Sequence, residues 1–391
     1  MHLSNVFHPL PYSYVSMYFH HLHFYVEDTA DWEKWFTQKL GFQVVIEDRT
    51  THQIGFQPTS PVKLVQDGIE IWLSAPGHSP TVRDYLKQHP PGLVDIAFAT
   101  DRFDTVLAQA QEQGAVLLQP VSAQTKPGQR RCQIKGWADI CHTLVEVSPS
   151  WVEQLSNERQ QSNKQQSKQT PTQSSTKPQP HWISLIDHVV INVPKGELQT
   201  AVDWYQAVFD LQRGQSFEIN TTHSGLCSQV LVHPQGTVQI PINEPSSANS
   251  QIQEFLNHNR GAGVQHVALR SANAIDAIAH FRNQGLKLLN VPHTYYEDLQ
   301  KRPGCPLDDL SAISQQQLLI DWHQKGDQGM LLQTFTEPIF AEPTFFFEII
   351  ERSHYQEHGK LKTAQGFGEG NFQALFEAIE RAQIERGSLE N

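Results

Sequence analysis

LIDHVVINVPKGELQTAVDWYQAVFDL, residues 185–211, begins as an apolar run and continues as an amphipathic one, and the chain has already used this pattern once. FHHLHFYVEDTADWEKWFTQKLGF, residues 19–42, carries it first, with Trp35 answering Trp204. The opening residues of each are aromatic and β-branched, which predicts a buried strand. The rest place apolar residues three and four apart, which predicts a helix. A second pair follows: VQHVALRSANAIDAIAHFRNQGLKLL (264–289) answers VDIAFATDRFDTVLAQAQEQGAVLL (94–118), and Gly285 stands where Gly114 stands. FFFEII (345–350) answers TLVEVS (143–148), which sets Glu348 against Glu146. The chain is therefore an internal duplication, and each half contains the strand–helix unit twice. Further strands are expected within 43–54, 62–73, 131–134 and 142–147, and a short helix at 83–89.

Between the halves the composition breaks. Residues 156–180 contain no aliphatic or aromatic side chain. Such a segment cannot bury enough apolar surface to offset its ordering entropy, so 151–181 is expected to be a flexible linker. The domains expected on either side are 17–150 and 182–386.

Glu348 lies inside PTFFFEIIE (343–351), an apolar run where an ionised carboxylate is costly unless it is paired or bound to a metal. Two histidines sit in similar runs: His188 in LIDHVVINV and His266 in GVQHVALR. Two imidazoles and one carboxylate are the facial donor set of non-haem Fe(II) oxygenases, which leaves one face of the ion open. The three lie 78 (266−188) and 82 (348−266) residues apart, so no spacing rule tests them. The repeat supplies a comparison. Aligned this way, the first half presents His21, Asp95 and Glu146, with one imidazole rather than two. Carboxylate-rich sites favour harder ions. The first half is therefore expected to be structural and metal-free.

A net charge of −12 without a basic block argues against nucleic acid or an anionic membrane as partner. No apolar run approaches the length of a bilayer span. The first twenty residues carry neither Lys nor Arg and do not resemble a secretory signal. The four cysteines, Cys132, Cys141, Cys227 and Cys305, lack metal-ligand spacing and fit reduced thiols in a cytoplasm.

Several stretches together resemble the 4-hydroxyphenylpyruvate dioxygenase family of the vicinal-oxygen-chelate superfamily. They are DHVVINV (187–193), PINEP (241–245), GAGVQHVAL (261–269), TYYEDL (294–299), DQGMLLQTFTEP (327–338), PTFFFEIIER (343–352) and GFGEGNFQALFEAIE (366–380). The resemblance implies an α+β fold of two tandem domains, each a curved mixed sheet of paired βαβββ modules with helices outside. It implies that His188, His266 and Glu348 bind Fe(II). It further implies that Ser228, Asn243, Gln251, Gln265, Gln333 and Asn371 line a substrate pocket, with Phe335, Phe346, Phe367 and Phe372 around an aromatic ring. Gln265, Gln333 and Phe335 would act closest to the reacting groups. Asn371 is placed to cap a C-terminal helix, 372–386, on which Phe372, Leu375, Phe376 and Ile379 share a face. In the family this helix closes the site as a lid.

The reaction so implied is oxidative decarboxylation of 4-hydroxyphenylpyruvate by O2, with ring hydroxylation and side-chain migration to homogentisate. Family members are dimers or tetramers. A neighbouring activity, 4-hydroxymandelate synthesis, uses the same substrate and metal, and a bulky Phe335 is expected to disfavour it. A third alternative is a non-catalytic keto-acid-binding protein on the same scaffold.

Overall fold

The computed structural model describes residues 17–46, 60–122, 130–148, 150, 182–220, 224–307, 309–322 and 329–371, and isolated positions at 374, 379–381, 383, 384 and 387. The linker expected at 151–181 lies outside these residues, as do Phe372, Leu375 and Phe376 of the expected lid helix.

The first half contributes β1 (Met17–Tyr25), β2 (Gln43–Val44), β3 (Val62–Gln66), β4 (Ile69–Ser74), β5 (Gly92–Thr100), β6 (Leu117–Gln119), β7 (Arg131–Lys135) and β8 (Cys141–Glu146). They form one sheet in the order β2-β3-β4-β1-β5-β8-β7-β6. The second half contributes β9 (Leu185–Asn192), β10 (Gln212–Asn220), β11 (Gly225–Val232), β12 (Gln239–Pro245), β13 (Gly263–Arg270), β14 (Leu319–Trp322), β15 (Met330–Phe335) and β16 (Phe346–Arg352). Their order, β10-β11-β12-β9-β13-β16-β15-β14, is the same order again. In every module the first strand lies parallel to the last: β1 with β4, β5 with β8, β9 with β12 and β13 with β16. The modules of each half join antiparallel through their first strands, β1 with β5 and β9 with β13. These are two curled mixed sheets in an α+β fold, as the duplication and the family resemblance together required.

Local chemistry fixes the element ends. The Asp28 carboxylate accepts the Ala30 amide at 2.7 Å and starts the helix Thr29–Trp35. In the helix Leu198–Phe209, Leu198, Val202, Tyr205 and Phe209 are buried, the spacing of a single face. Gly114 and Gly285 follow equivalent helices with φ of 78° and 75°, a left-handed conformation that glycine adopts without a Cβ penalty. The run expected at 62–73 is two strands, because Asp67 (φ 49°) and Gly68 turn the chain and pair Gln66 with Ile69. The helix expected at 83–89 begins earlier, at Pro80, capped by the Ser79 hydroxyl.

The halves share one apolar core. Phe24 of β1 meets Phe345 edge-on at 5.1 Å, and His142 of β8 hydrogen-bonds the Tyr205 hydroxyl at 3.0 Å.

The register corrects one pairing made from sequence. Across β13 and β16, Ala268 stands opposite Glu348. Across β5 and β8, Asp95 pairs with Cys141 and Phe98 with Leu144, which sets Ala97 opposite Thr143. The residue equivalent to Glu348 is therefore Thr143, not Glu146. Glu146 lies three residues on, and an odd displacement along a strand turns a side chain to the other face. There it holds Arg130, whose Nη2 and Nε donate to its two oxygens at 2.7 and 2.9 Å.

Candidate functional site

Ala268 organises the second sheet's centre. It pairs with His188 on the antiparallel side and with Glu348 on the parallel side. A small residue between two opposed neighbours lets both reach over it. His266, two residues back on the same strand, presents its ring on the same face. All three are buried, and one ligand atom from each lies within 4.8 Å of the others. Nε2 of His188 is 3.2 Å from Glu348 Oε2, and Nε2 of His266 is 3.6 Å from that same oxygen.

The other nitrogen of each ring is engaged. His188 Nδ1 donates to Asp187 Oδ1 at 3.0 Å, and His266 Nδ1 to Gln265 Oε1 at 3.2 Å. Bonds of this kind fix the tautomer and leave both Nε2 lone pairs aimed at one point. Burial opposes charge on Glu348, but the two imidazoles win and hold its carboxyl down to about 2. Burial likewise opposes charge on His188, yet Glu348 and Asp187 pull it up to about 9. His266 is driven the other way by burial and stays neutral more readily. With any Nε2 proton displaced as an ion enters, two imidazole nitrogens and one carboxylate make a donor set suited to a divalent metal.

These groups floor a cavity of about 740 Å³, mouth included. Ser228, Asn243, Gln251, Gln265 and Gln333 line it, as do Phe335, Phe346 and Phe367, with Asn371 and Ile379 from the C-terminal segment. The His266 ring stacks on Phe346 at 4.8 Å, and Phe335 meets it edge-on at 6.4 Å. Gln251 Oε1 is buried without a hydrogen-bond partner, and Asn243 Nδ2 donates to Asn192 Oδ1 at 3.2 Å. Phe372 falls outside the described residues. The cavity wall is otherwise apolar: Val190, Phe217, Ile219, Leu226, Val230 and Ile252. None of these was singled out from sequence, since alternate apolar residues in a strand look alike whether they line a core or a cavity.

The C-terminal segment closes over this floor. Gln333 Nε2 donates both to Glu348 Oε1 at 2.9 Å and to the Phe367 carbonyl at 3.0 Å. Asn371 Nδ2 donates to Gln333 Oε1 at 2.9 Å, and Tyr295 donates to Asn371 Oδ1 at 2.7 Å. The expected N-cap residue is thus a hydrogen-bonding link inside the wall, within a short helical turn, Glu369–Asn371. Gly370 N donates to Asp321 Oδ2 at 2.9 Å, a further anchor that the sequence did not disclose.

The first half has no such arrangement among its described residues. Asp95 is fully enclosed and accepts from Gln133 Nε2 (2.7 Å), the Thr143 amide (2.7 Å) and the Thr143 hydroxyl (2.5 Å). Burial raises its pKa above the usual carboxylate value despite these bonds. His21 stacks on Trp72 with ring centroids 3.9 Å apart.

Comparison with known proteins bears on the family and the fold. Residues 185–302 match the model of the Glyoxalase/Bleomycin resistance protein/Dioxygenase superfamily. A 4-hydroxyphenylpyruvate dioxygenase of Coccidioides posadasii is 32% identical over 397 residues, covering 94% of each chain. That of Danio rerio is 33% identical over 393 residues, 95% of this chain and 92% of the other. Among solved structures, a triple mutant of 4-hydroxymandelate synthase from Streptomyces coelicolor superposes with a TM-score of 0.73 at 23% identity, covering 94% of this chain and 98% of that one. At that identity the likeness shows the fold alone.

Proposed function

Since the chain belongs to the 4-hydroxyphenylpyruvate dioxygenase family, we propose that its second half converts 4-hydroxyphenylpyruvate and O2 to homogentisate and CO2, with Fe(II) held by His188, His266 and Glu348. The observation that carries this reading is the convergence of two Nε2 atoms on one Glu348 oxygen at the floor of an aromatic- and amide-lined cavity. Fe(II), when bound, would supply affinity for the substrate's keto-acid oxygens and the means of activating O2.

The protein's own share is positional. Phe335 and Phe346, beside the His266 ring, would clamp the substrate's aromatic ring. Gln251, Gln265, Ser228 and Asn243 offer hydrogen-bonding groups on an apolar wall, where few partners compete for them. Gln333 would hold Glu348 in place while joining it to the closing segment. Phe367, 5.2 Å from the His188 ring, and Asn371 would keep water out during turnover. Phe372 is assigned to the same wall from the family pattern.

The first half, 17–150, is proposed as a metal-free structural domain. Asp95 has its oxygens filled by Gln133 and Thr143, and Thr143 offers no carboxylate where Glu348 stands. A dimer or tetramer is proposed from the family's habit. A cytoplasmic setting is proposed from four free, unpaired thiols. Among the described residues no helix is long and apolar enough to cross a membrane.

The test is direct: purified protein with Fe(II), 4-hydroxyphenylpyruvate and O2, with the product identified by chromatography. Homogentisate supports the proposal. A mandelate would transfer the site to the synthase chemistry. Tight keto-acid binding without O2 uptake would make the chain a binding protein.

A further inference from the structure

Asp187 precedes a ligand histidine, and in a regular strand adjacent side chains point to opposite faces. Here they do not part. His188 pairs with Ala268 and Ile186 with Leu269, so Asp187 is the extra residue of a β-bulge. Bulges re-aim side chains. This one lets Asp187 reach the Nδ1 of its own neighbour.

Two arginines complete the cluster. Arg352 Nε and Nη2 donate to the two Asp187 oxygens at 2.8 and 2.7 Å, and Arg270 Nε and Nη2 donate to Oδ2 at 2.8 and 2.5 Å. Arg352 has one further nitrogen, and it is not idle. Nη1 donates to the Ala364 carbonyl at 3.1 Å and the Gly366 carbonyl at 2.8 Å. Those carbonyls begin the segment that carries Phe367 onto the His188 ring. A single planar guanidinium therefore touches the support of a ligand on one edge and the closing segment on the other, which a lysine's point charge cannot do.

The duplication shows that the fold itself does not need this cluster. β1 carries the same bulge, between Phe19 and His21, with His20 as the extra residue in place of Asp187. The positions equivalent to Arg270 and Arg352 are Ala99 and Val147, which pack with Tyr18 and Val145 in an apolar cluster. There His20 Nδ1 still meets His21 Nδ1 at 2.9 Å, and hydrocarbon stands in place of both arginines where the triad is absent. Buried ion clusters are weak evidence for stability, so another role is needed to account for this one.

We infer that Asp187 and Arg352 are positioning residues that couple the orientation of the ligand His188 to closure of the 364–371 segment. This rests on the metal reading above, and the test separates the two. Metal-free protein is titrated anaerobically with Fe(II), and hydrogen exchange of the 364–371 amides is followed with and without the metal. Wild-type protein that binds no Fe(II) refutes the metal reading, and this proposal with it.

If wild type does bind, Asp187→Asn should weaken Fe(II) affinity about 10–100-fold. Fe(II) should slow exchange in 364–371 of the wild type, and a wild type that binds Fe(II) without such slowing would overturn the proposal. Arg352→Met should abolish the slowing and weaken affinity. Arg352→Lys, which can keep the charge beside Asp187 but not span both partners, should restore affinity to within about 3-fold while leaving that slowing lost. Should Arg352→Met fail to fold, the neutral pair Asp187→Asn/Arg352→Met replaces it. Arg352 variants that only lower thermal stability, with affinity and metal-dependent protection unchanged, would overturn the proposal.

Discussion

Gln333 Nε2 lies 2.9 Å from Glu348 Oε1, across the antiparallel pair of β15 and β16. The same NH2 group holds the Phe367 carbonyl, and the side-chain oxygen holds Asn371. One amide thus spends both of its donors and one acceptor position joining a ligand carboxylate to the segment that covers it. Gln333→Leu, close in volume, leaves Glu348 Oε1 and the Phe367 carbonyl unmet. Fe(II) affinity is expected to fall about 10–100-fold, the range for losing an outer partner of a ligand. Anaerobic titration checks it, and an unchanged dissociation constant would show that Glu348 needs no such support.

Gly368 tests the cover from the other side. Its φ is +76°, and a Cβ built there would run into the Gln333 side-chain amide. Gly368→Ala therefore carries backbone strain of roughly 1–2 kcal/mol and displaces the closing turn as well. We expect kcat/KM for 4-hydroxyphenylpyruvate to drop at least about 10-fold, with Tm moving by only a few degrees. Full activity in this variant would mean that the turn does not have to seat against Gln333.

Much of this architecture was legible in the sequence because a module cannot hide its pattern. Each needs an apolar strand and an amphipathic helix to build its share of core, and Gly114 and Gly285 mark the same helix exit twice. The carboxylate pairing was not legible. TLVEV and FFFEI look alike as strings, yet a three-residue slip puts Glu146 on the face opposite Glu348, and only strand register reveals it. The Asp187–Arg352 pair was hidden for two reasons: 165 residues separate its members, and the bulge breaks the alternation on which facing is judged. The Asp67-Gly68 turn was a signal present and passed over.

The corrected pairing makes a prediction of its own. Asp95→His restores the second imidazole position in the first half, but with Thr143 rather than a carboxylate beside Ala97 the donor set stays incomplete. Iron content should remain at one per chain. Stability should fall by about 1–3 kcal/mol, since Gln133 and the Thr143 groups lose their acceptor. Metal analysis and denaturant unfolding of the variant report the two. A second equivalent of iron would show that Glu146 can serve as a ligand after all.

His142 sets an acid limit on the fold. It is fully buried between the halves, with Nδ1 at the Ile96 carbonyl (3.1 Å) and Nε2 at the Tyr205 hydroxyl (3.0 Å). Burial lowers its pKa from 6.5 to about 4, the Ile96 bond opposing only in part. The unfolded chain therefore takes up this proton at higher pH than the folded one. Stability is whole above about pH 6.5, declines as pH falls toward about 4, and loses nothing more from this group below that. A shift of this size is worth on the order of 3 kcal/mol at the acid end. His142→Gln keeps hydrogen-bonding groups but cannot titrate in this range. Its unfolding free energy should decline less between pH 6.5 and 4 than that of the parent, by about that amount, in urea melts taken across the window. Parallel pH profiles for the two proteins would place the acid sensitivity elsewhere, the first alternative being His23, whose burial lowers it to about 3.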